Sequence, residues 1–225
     1  MHKEVNKKFF KKWNADMAYV LGFFAADGYM WISGRGAHFF GFQINDKELV
    51  YEIRDILGSN HKISQRVSDN PNWNDSYRIQ IGSKEVFDDL ISLGMTPSKS
   101  KTLLFPRVPK KYVGDFILGY FDGDGCAYFR EHFARDRNKM RWIFQSRFTS
   151  GSKNFLLSLH ECLKKHGIKG GYLYKKKGGY ELVFSWHDSI ALYKLMYNNA
   201  RTSLYLKRKK DIFETAMHTL YPTGT

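Results

Sequence analysis

Two aspartates, each followed by a glycine, end two apolar helical patterns in this chain of 225 residues. Asp27 ends the first pattern and Asp124 ends the second. A carboxylate is unfavourable there, by about 0.3 to 1 kcal/mol at an exposed site, because the C-terminal end of a helix carries partial negative charge. If the two ends met, their carboxylates and unpaired carbonyls would form the oxygen-rich site that hard divalent cations require. The pair therefore predicts a Mg²⁺ site.

Small residues in the same two helices predict that their ends do meet. Gly22 and Ala26 are four residues apart in the first helix, and Gly119 and Gly123 are four apart in the second. Residues at this spacing share one face of a helix. Because their side chains are small, the two backbones can approach closely along that face.

The order of secondary-structure elements that position the aspartates is predicted to occur twice along the chain. The hydrophobic periodicity predicts a helix, two strands, a helix, two strands and a helix in each half. Asn14 is expected to cap the first helix, and Gly28 to end it in the left-handed conformation. The anchors that match between the halves are Phe42 with Phe148, Tyr77 with Tyr180, and Lys101-Thr102 with Arg201-Thr202. We therefore expect an α+β fold of two pseudo-symmetric αββαββα repeats, residues 1–106 and 107–225, docked through their first helices.

The charge of the chain predicts a polyanionic partner. Lys and Arg number 36 against 22 Asp and Glu, which gives a formal net charge of +14. A hydrophobic content of 43% with 16% aromatic residues excludes a disordered basic tail. Two cysteines are too few for a disulfide framework, and no apolar run approaches the roughly 20 residues of a bilayer span. These features favour an intracellular protein, in the cytoplasm, the nucleoid or an organelle matrix, with no membrane partner and no secretion.

Residues 20–28 and 117–125 resemble the nine-residue signature of the LAGLIDADG homing endonucleases, once in each half. The repeated element order is also similar to that family's fold, so the resemblance covers nearly the whole chain. It implies a pseudo-symmetric monomer with the motif helices at the central interface of a DNA-binding saddle. It also implies double-strand cleavage of a long pseudo-palindromic DNA site, one phosphodiester per strand, by an enzyme that spreads its own intron or other mobile element.

The resemblance also implies roles for individual residues. Divalent metal ions, with Mg²⁺ as the cofactor, would be held between Asp27 and Asp124 with help from the carbonyls of Ala26 and Gly123. Ca²⁺ is expected to bind without supporting cleavage. Metal ions suit this reaction, because phosphodiester hydrolysis needs an activated water and a stabilised leaving oxygen.

A basic residue beside each scissile phosphate would stabilise the transition state. Residues 95–106 resemble the family's lysine-bearing stretch, and Lys101 is assigned this role. Its repeat partner is Arg201, with the basic residues at 207–210 as competitors in the second half. For each of them, an ordinary solvated basic side chain is the alternative.

Alternating strands supply candidates for DNA recognition. Apolar residues alternate with Arg and Gln in residues 77–81 and 142–148, and these two types suit guanine and adenine edges in the major groove. Any antiparallel sheet with one solvated face alternates in this way, so the shared preference for Arg, Lys and Gln carries the interpretation. Loops at 34–36, 69–75 and 135–139 could reach phosphates, and the cluster at 207–210 is expected to add salt-sensitive affinity. The candidate DNA-binding residues are Arg35, Gln43, Arg66, Arg78, Gln80, Arg137, Arg141, Gln145, Arg147, Lys175, Lys177, Lys207 and Lys209.

Two other interpretations stay open. One keeps the fold without cleavage, as a maturase that binds intron RNA or as a DNA-binding regulator. The other is an unrelated basic αβ module that binds nucleic acid, in which the Asp-Gly helix ends are only caps, and it leaves the paired motifs unexplained. The presence of both Asp27 and Asp124 favours the nuclease, because a pure binder has no use for two carboxylates facing a phosphate.

Overall fold

The structure, a computed structural model, describes residues 3–68 and 74–221. The first half follows the predicted order of elements. Asn14 caps the first helix as expected, because its side chain accepts a hydrogen bond of 2.7 Å from the backbone N–H of Met17. The elements of this half are α1 Ala15–Asp27, β1 Gly28–Ile32, β2 His38–Ile44, α2 Lys47–Ile56, β3 Ile63–Arg66, β4 Ser76–Gly82 and α3 Lys84–Ser92.

The second half repeats this order and adds a final helix. A short 3₁₀ turn at Lys99–Lys101 precedes the second half, and a π-helical turn at Lys194–Asn198 lies before the final helix. The elements are α4 Val113–Asp124, β5 Gly125–Ala134, β6 Lys139–Ser150, α5 Lys153–Lys165, β7 Tyr172–Lys176, β8 Gly179–Phe184, α6 Trp186–Tyr193 and α7 Lys207–Leu220. None of the helices in the described ranges has the length and apolar character needed to cross a membrane.

Strand register confirms the repeat. Each half has one antiparallel four-stranded sheet, in the orders β1-β2-β4-β3 and β5-β6-β8-β7. The equivalent cross-strand pairs are Gly28–Phe42 with Gly125–Phe148, and Ile44–Tyr77 with Ser150–Tyr180. One face of each sheet buries large apolar side chains, such as Phe42 and Phe148, against the helices, and the other face is left towards solvent.

The helices α1 and α4 pack backbone against backbone at the centre of the molecule. A Cβ on Gly22 would overlap the carbonyl oxygen of Phe116, and a Cβ on Gly119 would overlap that of Tyr19. Each glycine therefore contacts the residue three positions before the other glycine, as a pseudo-dyad requires. The side chains around this contact are fully buried, including Tyr19 and Phe116.

The predicted left-handed conformation of Gly28 is wrong. Gly28 has φ −73° and Gly125 has φ −95°, so both are extended residues that begin β1 and β5. Glycine is needed there for space, because a Cβ would overlap the ring of Phe24 in the first half and of Phe121 in the second. Each helix thus passes directly into the first strand of its sheet, with the aspartate as its last residue.

The helix contact predicts a large effect for a single added methyl group. Gly22→Ala should destabilise the protein by about 1–3 kcal/mol, because the rigid backbone of α4 must move to admit it. Gly34→Ala is the matched control, since its Cβ would have no neighbour within 4 Å. Urea unfolding of both variants measures the difference, and equal stabilities would contradict the close approach of the two helices.

Candidate active site and DNA-facing surface

Asp27 and Asp124 lie together where α1 and α4 end. A Cβ on Gly123 would lie 3.2 Å from Oδ2 of Asp27, so the end of α4 reaches the carboxylate at the end of α1. Asp27 is exposed and Asp124 is half-buried, which leaves both open to a ligand from solvent. The two carboxylates and the nearby carbonyls suit a hard cation better than nitrogen or sulfur chemistry.

The pKa values of the two carboxyl groups show the cost of bringing them together. Burial raises the pKa of Asp124 to about 6, and the negative charge of Asp27 adds to the rise. Although the Asp27 residue is exposed, desolvation of its carboxyl group by the surrounding protein raises its pKa, and Lys209 and Lys99 oppose the shift. Both shifts mean that the folded protein disfavours the two negative charges, and a bound divalent cation would compensate them.

Lys99 lies beside the first aspartate. Its side chain is only 7% exposed, and its Nζ donates a hydrogen bond to the carbonyl oxygen of Gly28. The same Nζ lies 5.4 Å from the centre of the Phe24 ring. Burial lowers the pKa of Lys99 to about 8, against the opposing attraction of Asp124 and Asp27.

Lys209, the third residue of α7, lies in the equivalent place in the second half. It is 6% exposed, and its Nζ is 5.5 Å from the centre of the Phe121 ring. The Nζ lies within hydrogen-bond distance of four carbonyl oxygens at the junction of α4 and β5, among which its three N–H donors are shared: those of Phe121, Asp122, Gly123 and Gly125, at 2.8, 2.6, 3.2 and 2.7 Å. Burial lowers its pKa to about 8 as well, although Asp122 and Asp27 oppose the shift.

The two basic residues expected beside the aspartates both have exposed side chains. The side chain of Lys101 is exposed, and Lys99, two residues earlier, points inward instead. Arg201 is also exposed, and its backbone N–H donates to Asp115 at 2.6 Å. The sequence match of Lys101-Thr102 with Arg201-Thr202 therefore does not identify the two buried lysines. Lys99 and Lys209 make equivalent contacts in the two halves, although one lies in a 3₁₀ turn and the other in a helix.

Ala26 and Gly123, whose carbonyls are expected as further ligands, lie where the two helices meet. A Cβ on Gly123 would overlap the Cβ of Ala26, so the two helix ends are in direct contact. The Gly123 carbonyl also receives the longest of the hydrogen bonds from Lys209, at 3.2 Å. Among residues 3–68 and 74–221, no group of three or more His, Cys, Asp or Glu could hold a metal ion, so the candidate ligands are two carboxylates and backbone oxygens.

The exposed face of the first sheet carries four of the candidate DNA-binding residues: Gln43, Arg66, Arg78 and Gln80. Gln43 lies opposite Arg78 across β2 and β4, and Arg66 lies on the same face of β3. Arg78 is held in place, because its Nε donates to the hydroxyl of Tyr29 at 2.7 Å and its Nη2 to Gln80 at 2.9 Å. Its Nη1 makes neither of these hydrogen bonds.

The second sheet confirms part of the predicted face and corrects the rest. Arg141, Gln145 and Arg147 share the exposed face of β6, as expected. Lys175 does not share it, because Lys175 pairs with Tyr180 while its neighbour Lys176 is on the side of Arg147. Leu173, the single aliphatic residue of β7, pairs with the buried Leu182 and could have revealed this parity. Lys177 lies in the turn beyond the strand.

One buried carboxylate organises the basic side chains of this second face. Glu181, 6% exposed, accepts hydrogen bonds from the Tyr174 hydroxyl and from Lys176 at 2.6 Å, and a long one of 3.5 Å from Arg147. Burial alone would raise the pKa of Glu181, but the bonds from Lys176 and Tyr174 outweigh it and the pKa is lowered. The carboxylate therefore stays charged and holds these side chains together. The charge of Lys176 also opposes the rise in the pKa of Asp124.

Two arginines in the predicted phosphate-contacting loops are exposed, whereas the basic residues at 207–210 are paired or buried. Arg35 and Arg137 are exposed in turns, as phosphate contacts require, and most of the predicted loop at 69–75 lies outside the described residues. The cluster at 207–210 is not a free basic patch. Its members pair with acidic side chains, apart from the buried Lys209: Lys207 with Asp211 at 2.7 Å, Arg208 with Asp46 at 2.8 Å and Lys210 with Glu214 at 3.5 Å.

Two sequence comparisons relate the chain to known proteins. Residues 14–93 match the LAGLIDADG-like domain. In sequence, the chain is 27% identical over 142 residues to the reverse gyrase of Methanocaldococcus jannaschii, and the match covers 63% of this chain and 8% of that protein.

Solved structures share the fold over almost the whole chain. The homing endonuclease I-WcaI bound to its DNA recognition sequence is 15% identical with a TM-score of 0.60, and the alignment covers 92% of this chain and 91% of that one. The LAGLIDADG meganuclease I-AabMI bound to uncleaved DNA is 14% identical with a TM-score of 0.65 and the same coverage. I-SmaMI bound to an uncleaved DNA target with calcium ions is 12% identical with a TM-score of 0.61, covering 93% and 92%. Residues 14–93 thus match a LAGLIDADG-like domain, and the two halves of the chain share the fold of these LAGLIDADG endonucleases.

Proposed function

We propose that this protein is a site-specific, divalent-metal-dependent endonuclease that cuts both strands of a long DNA site. The observation that carries the proposal is the pairing of Asp27 and Asp124 where α1 and α4 end, with a buried lysine beside each end. Residues 1–106 and 107–225 would each act on one strand. We expect the chain to act as a monomer, because both motifs are present in it.

The residues present fit a divalent metal ion. Asp27 and Asp124 would hold it, with the carbonyls of Ala26 and Gly123 as further ligands, and their raised pKa values fit carboxylates whose natural partner is a cation. Mg²⁺ would supply an activated water and charge stabilisation on the leaving oxygen, and Ca²⁺ would occupy the same site without supporting cleavage. Binding of the ion requires both carboxyl groups to be deprotonated.

Lys99 and Lys209 take over the roles that the sequence assigned to Lys101 and Arg201. With pKa values of about 8, both keep their charge at neutral pH. Each ammonium is desolvated, so its interaction with the negative charge that develops on a phosphate is stronger than it would be in water. We assign each lysine to transition-state stabilisation on one strand.

The exposed sheet faces would hold the DNA. Because β1 and β5 begin immediately after the two aspartates, both faces start beside the cleavage site. Each face would read one half-site through the major groove, so the target would span roughly 20 bp at about 10.5 bp per turn. The net charge of +14 supports binding to the phosphate backbone.

Desolvated charges distinguish this proposal from a binder that does not cleave. Two carboxylates with raised pKa values and two lysines with lowered ones are held together at a cost to folding. Groups perturbed in this way are typical of catalytic sites, where the strain serves the chemistry. A maturase or a DNA-binding regulator gains nothing from the arrangement.

Removal of either metal-binding carboxylate should separate cleavage from binding. Asp27→Asn and Asp124→Asn are each expected to reduce double-strand cleavage in Mg²⁺ by at least about 10²-fold, since the loss of one anionic ligand weakens the site. DNA affinity, measured by gel shift in Ca²⁺-free buffer, should change little. Full cleavage by either variant would remove that aspartate from the site.

The lysine assignment has a matched control within the chain. Lys99→Met and Lys209→Met should each slow one strand by about 10²-fold in a single-turnover nicking assay, because each removes a preorganised charge. Lys101→Met, which removes an exposed charge only two residues from Lys99, should have an effect of about threefold or less. If Lys101→Met slowed cleavage as much as Lys99→Met, the assignment from sequence would be restored.

Arg78 should read one base pair. Its hydrogen bonds to Tyr29 and Gln80 fix the guanidinium group, so Arg78→Ala should relax specificity at a single position by about 1–3 kcal/mol. The measurement is relative binding to every single-base variant of the target. A uniform loss across all variants would identify Arg78 as a phosphate contact.

A further inference from the structure

Three carboxylates tie the segment before α7, residues 199–206, to the central helices. Asp16 of α1 accepts from the Thr202 hydroxyl at 2.8 Å. Asp115 of α4 accepts from the backbone N–H groups of Arg201 and Thr202 at 2.6 and 2.8 Å. Asp122, also of α4, accepts from the backbone N–H of Leu206 at 2.9 Å. The third of these contacts is the one nearest to the start of α7.

Asp122 is placed to set where α7 begins. It is 2% exposed, and its Oδ2 accepts from both the Leu206 backbone and the Tyr19 hydroxyl, the latter at 2.7 Å. Leu206 is the residue that caps α7, and Lys209 follows it by less than one turn. One carboxylate oxygen therefore joins α1, α4 and the start of the helix that carries Lys209.

The first half has no counterpart of this bond. Asp122 stands three residues after Gly119, and the residue three after Gly22 is Ala25, which has no polar side chain. Lys99 reaches its place from a short 3₁₀ turn instead of a helix. The two halves thus hold equivalent lysines by different means.

We propose that Asp122 is a positioning residue for Lys209 and, resting on the proposed function, controls cleavage of only the strand that Lys209 serves. It touches neither substrate nor metal in this role and acts through the start of α7. The first motif has Ala25 where the second has Asp122. On this proposal, the difference makes the cleavage of only one DNA strand depend on a positioning carboxylate.

The first arm of the test uses the free, full-length protein and needs no cleavage. Trace acetylation with acetic anhydride, followed by peptide mass spectrometry, measures how well each lysine amine is protected. In Asp122→Ala, Lys209 should react about tenfold faster because α7 opens locally, while Lys99 keeps its rate. An unchanged Lys209, or an equal rise at both lysines, would overturn the proposal.

The second arm measures the cleavage rate of each strand separately. Asp122→Ala should slow the strand that Lys209→Met slows, by about tenfold relative to the other strand, as a small misplacement of a charge does. A loss of folded protein alone would slow both strands equally, so the ratio of rates is insensitive to it. An unchanged ratio, or a change on the strand that Lys99→Met slows, would overturn the proposal.

Two further variants separate positioning from general stability. Asp122→Asn keeps a side-chain oxygen that can accept from Leu206 and Tyr19, and should restore the protection of Lys209 and the strand ratio. Ser189→Ala removes buried hydrogen bonds to Ser146 and Phe184 in the same half, and should leave both unchanged. If the wild-type protein cut no DNA, the proposed function would fail, and the acetylation rates would still decide the role of Asp122.

Discussion

The close approach of α1 and α4 is the constraint on which the rest of the structure depends. Gly22 and Gly119 let each backbone touch the other, so the helices end side by side with Asp27 and Asp124 as their last residues. Because β1 and β5 start at the next residue, the same contact fixes where both sheets begin. A wider helix spacing would separate the carboxylates and the two sheet faces together.

The site concentrates charge at a cost to stability. Each carboxylate has a raised pKa and each buried lysine a lowered one, so all four groups resist their charged forms in the folded state. Hydrogen bonds to backbone carbonyls stabilise the buried lysines, and four carbonyl oxygens surround the Nζ of Lys209. The packed helix pair lies beneath the site. Such a trade of stability for a preorganised site is expected of catalysis.

Much of this arrangement could be predicted from sequence, and the failures have physical reasons. The repeat, the aspartate pair and the exposed polar face of the first sheet follow from periods of 3.6 and 2, which local sequence encodes directly. Lys99 was missed, and Lys209 was only one of the competitors of Arg201. Lys99 lies in a short turn and Lys209 on a helix without a counterpart, so no shared spacing links them. Lys175 was assigned to the wrong face because β7 has five residues, and its parity is fixed by pairing with β8.

On the proposed function, the paired aspartates hold a divalent metal with which the protein cuts DNA at one long site. The most direct test incubates the protein with a randomised duplex library in Mg²⁺, beside the Asp27→Asn, Asp124→Asn double variant, and sequences the cut ends. We expect breaks in both strands at one enriched site of roughly 20 bp, and no such breaks with the double variant. Enriched binding with no breaks, or breaks that persist in the double variant, would contradict it.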